Sequence, residues 1–227
     1  MPSYRVAKEG VSLGVFDIVG QDGGERAFVG HVGLASSTGS HTAARVAVLD
    51  MGPPLHGPDA AGTIRADVVG SAALTDDDVQ KIRTFIARHA NEHRSFLQFG
   101  MRELIAAAPE MYAICPHAKP FYEEDGRYAR MRFSCAGFVL EAYRKARIRL
   151  LDPDALPPVD IAIIRLCYPM QVRLMEEGVI SPGDLGLDGD GPWPVLLCGY
   201  LFHALDRDGI AVRREAYVPI VEHRHFV

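Results

Sequence analysis

The chain has 227 residues and a net charge of -5, with 48% hydrophobic and 23% charged residues. This composition is ordinary for a globular protein, and the length suits one large domain or two small ones. The acidic balance and the lack of a basic run in the sequence give no electrostatic basis for binding nucleic acid, so we expect no nucleic-acid partner.

The N-terminal residues do not resemble a signal peptide, and no apolar run reaches the length of a membrane span, so we expect a cytoplasmic protein without a membrane-spanning segment. The four cysteines, Cys115, Cys135, Cys167 and Cys198, are far apart and form no C-x-x-C pair. We therefore expect reduced thiols, and the sequence indicates no bound metal and no other cofactor. The absence of internal repeats and linkers from the sequence favours a single domain over 1–227.

Three apolar, β-branched segments predict strands at 11–21, 27–36 and 45–51. If the second and third form a hairpin, the register that places Gly33 opposite Val48 also places His31 opposite Asp50. A carboxylate across a hairpin holds a histidine in one tautomer and helps it take up a proton, as a general base requires. The alternative is a half-buried histidine beside an incidental aspartate.

Thr75, followed by three aspartates, predicts the start of a helix that extends to about Gln98. His89 and His93 fall within the apolar stripe of this helix, and with Glu92 they match the H-x-x-E-H signature of zinc peptidases. Such a site also needs an acidic ligand from a second helix, and the acids that follow have no clear helical context. We expect both histidines to be buried and hydrogen-bonded, or to line a pocket, without binding metal.

The segment 130–148 (RMRFSCAGFVLEAYRKARI) predicts an amphipathic helix. Ser134 stands at the N-cap, so Cys135 lies in the first turn, near unpaired backbone N–H groups and the positive end of the helix dipole. That environment lowers the pKa of a thiol and favours the nucleophilic thiolate. The alternative is a small buried cysteine that only packs. Glu141 and Lys145 are expected to pair on the outer face.

Towards the C-terminus, 159–177 predicts a helix that Pro169 interrupts. The apolar segments 194–205 and 210–221 predict two strands of a hairpin with its turn at 206–209. We expect this hairpin to join the sheet that carries His31, because it is too apolar to stand alone.

Two of these segments resemble a known family. Residues 133–143 (FSCAGFVLEAY) resemble the nucleophile helix of NlpC-type papain-like cysteine hydrolases, and 30–35 (GHVGLA) resembles their histidine strand. The histidine precedes the cysteine, as in the circularly permuted branch that includes the YaeF/YiiX-like proteins and the lecithin:retinol acyltransferase relatives. Residues 16–19 (FDIV) resemble the G-D-I-V strand of that branch. Phe16 replaces its usual glycine, and Ala136 replaces the usual small polar residue after the cysteine.

The resemblance implies a papain-like α+β fold, in which an antiparallel sheet or small barrel packs against the nucleophile helix and further helices. It also implies acyl transfer by a cysteine hydrolase or acyltransferase. Cys135 would attack a carbonyl carbon and His31 would carry the proton, while Asp50 orients the imidazole.

The expected partner is a small-molecule, peptide or lipid-like substrate with an amide, ester or thioester bond. We expect Ser134, His89 and His93 to border this substrate. Two alternatives stay open: a non-catalytic ligand- or lipid-binding module on the same fold, and a zinc metallopeptidase built on His89, Glu92 and His93. The oligomeric state is open as well.

Overall fold

The structure is a computed structural model. It describes residues 4–6, 11–23, 28–41, 45–52, 54–58, 61–100, 103–104 and 107–225. The strands are β1 (Tyr4–Val6), β2 (Val11–Leu13), β3 (Ile18–Asp22), β4 (Val29–Ala35), β5 (Gly39–His41), β6 (Arg45–Leu49), β7 (Gly62–Arg65), β8 (Val68–Gly70), β9 (Ala118–Tyr122), β10 (Tyr128–Phe133), β11 (Pro158–Val159) and β12 (Trp193–Pro194). The α-helices are α1 (Asp76–Glu92), α2 (Ala108–Met111), α3 (Cys135–Lys145), α4 (Ile161–Cys167), α5 (Pro169–Glu176), α6 (Pro182–Leu185), α7 (Cys198–Leu205) and α8 (Gly209–Arg214). Short 3-10 helices span Arg94–Gln98, Pro153–Ala155 and Val221–Arg224.

Six strands form an antiparallel sheet in the order β1-β8-β3-β4-β6-β7, and the predicted α+β class is confirmed. Strands β7 and β8 are separated by only Ala66 and Asp67 in the chain, yet β3, β4 and β6 lie between them in the sheet. So short a connection requires the sheet to curl. The backbone N–H of Arg65 accordingly donates to Gln21 Oε1 of β3 at 3.2 Å.

The curled sheet contributes buried apolar side chains to two separate clusters. One small cluster joins residues from β2, β3, β4, β6, β7 and β8: Leu13, Val19, Ala35, Val46, Val48, Ile64 and Val69. A larger cluster joins other residues of β3, β4, β6 and β8, such as Ile18 and Leu34, to the helices. Within it, Tyr143 of α3 donates a hydrogen bond to the carbonyl of Phe16 at 2.8 Å. Helix α3 is thereby fixed against the curved sheet.

The predicted helix starts at Thr75 and Ser134 are confirmed, but α1 ends at Glu92, and Arg94–Gln98, which the prediction included, is a 3-10 helix. Thr75 caps α1 and accepts a hydrogen bond from the backbone N–H of Asp78, and Ser134 caps α3. The predicted break at Pro169 separates α4 from α5. Among the described residues, no helix combines the length and the apolar character needed to cross a membrane.

The predicted hairpin register is wrong by two residues. Val48 pairs with Ala35 and Leu49 pairs with Leu34, whereas the prediction placed Gly33 opposite Val48. Because side chains alternate with a period of two, this shift leaves His31 and Asp50 on a common face. They are diagonal neighbours instead of direct partners.

Gly33 creates the space for this diagonal contact. A Cβ atom at Gly33 would lie 2.9 Å from Asp50 Cβ, which is closer than such atoms approach in proteins, and 3.0 Å from Val48 Cβ, which is a tight contact. Glycine therefore allows the two strands to bring Asp50 alongside His31.

We predict that Gly33→Ala displaces Asp50 and weakens its hydrogen bond to His31. The expected results are a cost of about 1–3 kcal/mol from overpacking, measured by urea unfolding, and slower labelling of Cys135 by iodoacetamide. Gly209→Ala, at the start of α8, where an added Cβ meets nothing within 4 Å and the backbone needs no positive φ, is the comparison for labelling. Unchanged unfolding and labelling in Gly33→Ala would contradict this account of the contact.

The two predicted C-terminal strands are replaced mainly by helices, α7 over Cys198–Leu205 and α8 over Gly209–Arg214. Residues 198–205 form α7, whose residues are buried almost all round, so the segment lacks the polar face that identifies a helix in sequence. The predicted turn at 206–209 contains a helix cap: Asp208 Oδ1 accepts from the backbone N–H groups of Ile210 and Ala211 at 2.9 and 3.0 Å. The C-terminal segments therefore do not extend the sheet.

The predicted surface pair of Glu141 and Lys145 is also wrong. Glu141 is only 8% exposed. Its carboxylate lies 3.0 Å from Arg144 Nη2 and 3.3 Å from His117 Nε2. The face expected to meet solvent is covered by the segment that carries His117.

Candidate active site

Cys135 is the first residue of α3 and follows directly on β10 and its cap. Ser134 Oγ accepts a hydrogen bond from the backbone N–H of Gly137 at 2.9 Å. A Cβ atom at Gly137 would lie 2.1 Å from the carbonyl oxygen of His117, so glycine lets this segment pack tightly on the helix start. The thiol of Cys135 is thus held where backbone N–H groups and the helix dipole favour negative charge.

Asp50 joins two histidines. Its Oδ2 lies 2.6 Å from His31 Nε2, and its Oδ1 lies 2.7 Å from His56 Nδ1. The carboxylate is buried, with Asp50 3% exposed, whereas the His31 side chain keeps 27% of its surface exposed. Since His31 uses Nε2 for Asp50, its Nδ1 is the ring nitrogen left for the thiol of Cys135, with which it also interacts.

The electrostatics of this cluster favour a thiolate and an imidazolium. Burial lowers the pKa of His31, but hydrogen bonds to Asp50 and Cys135 outweigh burial and raise this pKa to about 10. Burial likewise raises the pKa of Asp50, and hydrogen bonds from His31 and His56 bring it below its ordinary value. A hydrogen bond from Cys198 and the interaction with His31 together outweigh burial and hold the pKa of Cys135 well below that of a free thiol.

Tyr112 completes the surroundings of the thiol. Its side chain is buried, and its hydroxyl interacts with both the backbone N–H and the thiol of Cys135. Burial and the negative charge of Cys135 raise the pKa of Tyr112 well above its usual range, so the hydroxyl keeps its proton. The Tyr112 hydroxyl and the backbone N–H of Cys135 therefore lie together beside the thiol, and both are groups that can donate to an oxyanion.

The other three predicted site residues have different positions. Ser134 is fully buried and its hydroxyl caps α3. His89 on α1 and His93 at its C-cap are both buried and hydrogen-bonded, as predicted: His89 Nδ1 lies 2.7 Å from Glu92 Oε2, and His93 Nε2 lies 2.8 Å from the carbonyl of Met131. His89 borders a cleft of about 340 Å³ with Phe85 and Lys145 among its other lining residues, as the pocket alternative expected. The structure therefore brings together Cys135, His31 and Asp50, while these three residues serve packing, capping or a separate cleft.

The arrangement around His89 and His93 does not match a zinc site. One ring nitrogen of His89 is hydrogen-bonded to Glu92, and one of His93 is hydrogen-bonded to a backbone carbonyl. Zinc ligands instead direct their nitrogens to one common point. Within the part of the chain that the structure describes, no group of three or more His, Cys, Asp or Glu side chains is placed to hold a metal ion.

Sequence reasoning missed two members of the cluster. His56 returns to Asp50 because the chain reverses after β6 through a bridge between Met51 and Leu55. The glycine and prolines after Met51 are the sequence signal that could have revealed it. Tyr112 reaches Cys135 because a β-bridge joins Tyr112 to Phe133, and no local sequence pattern predicts that bridge.

Comparison of the chain with protein-family models, with curated proteins and with solved structures found no match. Any assignment of function therefore depends on the chemistry of this cluster and on the resemblance of the local motifs.

We predict that Tyr112→Phe slows acylation of Cys135 by p-nitrophenyl acetate by about 10²–10³-fold, the usual effect of removing one oxyanion donor. Alkylation by iodoacetamide forms no oxyanion and should change far less. Tyr168→Phe is the matched control, because its hydroxyl donates to the carbonyl of Leu196 at 2.9 Å. Equal acylation rates for Tyr112→Phe and the unmodified protein would remove Tyr112 from the site.

Proposed function

We propose that this chain is a cysteine-dependent acyl-transfer enzyme, an amidase, peptidase or acyltransferase, with a papain-like fold of the permuted NlpC type. One observation carries the proposal: Cys135, His31 and Asp50 come from a helix start, a strand and a strand end, and they meet in one buried cluster in the order nucleophile, base and orienting acid.

Each member of the cluster has a step that suits its environment. The Cys135 thiolate attacks the carbonyl carbon of an amide, ester or thioester, and the negative oxygen accepts hydrogen bonds from the Cys135 N–H and the Tyr112 hydroxyl. The His31 imidazolium then gives its proton to the leaving group, and a thioester to Cys135 remains. Neutral His31 next removes a proton from water or an amine, which attacks the thioester and releases the product. Asp50 holds the imidazole throughout.

Two features of the fold support the papain-like assignment. The helix that begins at Cys135 packs on a curled antiparallel sheet that carries His31, which is the arrangement that the resemblance implies. Phe16, at the position where the permuted family has glycine, adopts a φ of 62°. Left-handed backbone at this position is what glycine accommodates without strain, so the local conformation agrees with the family motif even though the residue differs.

A ligand-binding module on the same fold is the second candidate, and the burial of the nucleophile favours it. Cys135 is only 1% exposed, so an acyl group must enter along the partly exposed ring of His31. In a module that only binds its ligand, the ligand would not have to reach the sulfur of Cys135.

Mass spectrometry of the intact chain and of its tryptic peptides separates the two candidates. The chain is exposed to a panel of acyl p-nitrophenyl esters and acyl thioesters with small, peptide-like and lipid-like acyl groups. We expect one acyl group on peptide 133–144, which contains Cys135, and none on this peptide in Cys135→Ser or His31→Ala. An unmodified Cys135 with every acyl donor would reject the enzyme and favour the binding module.

We predict that the rate of acyl transfer falls at both low and high pH. At low pH the rate falls as the thiolate takes up a proton, at a pH well below the pKa of a free thiol. At high pH the rate falls near pH 10, because the raised pKa of His31 keeps the imidazolium proton available only below that pH. Iodoacetamide labelling needs no proton donor and should not fall on the alkaline side. An alkaline fall in acyl transfer near pH 6.5 would show that His31 has an ordinary pKa.

A further inference from the structure

A second thiol lies against the nucleophile. Cys198 Sγ is 3.5 Å from Cys135 Sγ, and both residues are fully enclosed first residues of their helices, α7 and α3. Cys167, at the end of α4, contacts Cys198 as well. The reaction proposed above assigns no step to Cys198.

The pKa values of the two thiols are shifted in opposite directions. Hydrogen bonds to Cys135 and Cys167, together with burial, raise the pKa of Cys198 well above its usual range. Cys198 therefore stays protonated and donates to the Cys135 thiolate. A low-pKa thiolate in contact with a second thiol is the arrangement in which oxidation of the first cysteine is followed by formation of a disulfide.

We propose that Cys135 and Cys198 are a redox modification site, in which a hydroperoxide oxidises Cys135 and Cys198 resolves the product to a reversible disulfide. The Cys135 thiolate attacks the terminal oxygen of the hydroperoxide, its sulfur gives up two electrons, and the oxygen–oxygen bond breaks. The leaving alkoxide takes the proton of the His31 imidazolium and departs as an alcohol, or as water if the oxidant is hydrogen peroxide. Cys135 is left as a sulfenic acid, with His31 neutral.

The second step follows from the contact between the sulfurs. The charge on Cys135 disappears on oxidation, and with it the hydrogen bond that held the proton on Cys198. Cys198 then loses its proton to the departing hydroxide, which leaves as water, and its sulfur attacks the sulfenic sulfur. The sulfurs need only close from 3.5 Å to the bonded distance of about 2.05 Å. The disulfide blocks the nucleophile and protects it from irreversible oxidation.

Access favours a small oxidant. Cys135 is 1% exposed, but the ring of His31 beside it keeps 27% of its side-chain surface exposed, and hydrogen peroxide is little larger than water. Cys115 is the contrasting thiol, because it lies outside this cluster and burial raises its pKa.

Peptide mapping tests the proposal directly, since trypsin places the four cysteines in four different peptides, 103–127, 133–144, 166–173 and 174–207. The chain is treated with hydrogen peroxide, free thiols are blocked with iodoacetamide, and the digest is analysed without reduction. We expect a cross-link between 133–144 and 174–207 that dithiothreitol removes, with recovery of the labelling of Cys135.

In Cys198→Ser we expect sulfinic and sulfonic acid on Cys135 and about tenfold less recovery of its labelling after dithiothreitol. Cys167→Ser, the matched control from the same cluster, should keep the cross-link. In the unsubstituted chain, a cross-link between 166–173 and 174–207 in place of the expected one would overturn the proposal. So would equal irreversible oxidation of Cys135 in Cys198→Ser and in the unsubstituted chain. The mapping of the unmodified chain stands even if a variant does not fold. It is also independent of acyl transfer, because a cross-link can form in a chain that turns over no acyl donor.

Discussion

Replacing His31 with alanine is expected to slow labelling of Cys135 by iodoacetamide roughly tenfold near neutral pH. A thiol with a pKa of ~8.5 is only ~3% ionised at pH 7, so full ionisation of Cys135 gains up to ~30-fold in thiolate, and the hydrogen bond from Cys198 and the pairing with His31 each supply part of this gain. Part of that gain is lost because a less basic thiolate is a weaker nucleophile. Acyl transfer should fall much further, since it also loses the proton donor.

The measurement is the rate of label incorporation into each tryptic peptide. In the unmodified chain Cys135 should react faster than Cys115, Cys167 and Cys198, and labelling of Cys115 is the internal control because it lies outside the cluster. The pairing is disproved if Cys135 labels no faster than the other three thiols, or if His31→Ala leaves its rate unchanged. The ligand-binding module would then be the better candidate.

Asp50→Asn should reduce acyl transfer by about 10²–10⁴-fold while the fold is kept. The 3% exposed carboxylate lies 2.6 Å from His31 Nε2, where its charge stabilises the imidazolium. An amide of the same shape lacks that charge, and its NH₂ group can hold the ring in the wrong tautomer; the equivalent change in a Ser-His-Asp triad costs about 10⁴-fold. The pKa of His31 should fall from about 10, so the alkaline end of the acyl-transfer profile should move to lower pH.

His56→Ala is the matched control for Asp50→Asn. It removes the 2.7 Å contact to Asp50 Oδ1 and leaves the contact between Asp50 and His31 in place. We expect a smaller loss of rate and an alkaline limit that stays close to pH 10. If Asp50→Asn keeps the alkaline limit of the unmodified chain, or if His56→Ala loses as much activity, then Asp50 does not act by orienting and charging His31.

The features that could be predicted from the sequence are those that depend on neighbours in the chain. The caps at Thr75 and Ser134 and the break at Pro169 involve residues within one helical turn, and each is confirmed. Side chains alternate between the two faces of a strand, so a register error of two residues leaves each side chain on its predicted face. For that reason His31 and Asp50 could be matched from sequence although the assumed pairing was two residues off.

The features that only the tertiary structure reveals depend on contacts between distant segments. Cys135 and Cys198 are 63 residues apart and meet because α3 and α7 start at the same place in the core. Burial is also the reason why the C-terminal helix was not predicted. A segment enclosed on all sides shows neither the helical nor the strand pattern of apolar residues, so 198–205 could not be recognised as a helix from its sequence. Cys135 and His31 are thus visible in local patterns, whereas the hydroxyl of Tyr112, the imidazole of His56 and the second thiol reach the cluster only through the packing of the folded chain.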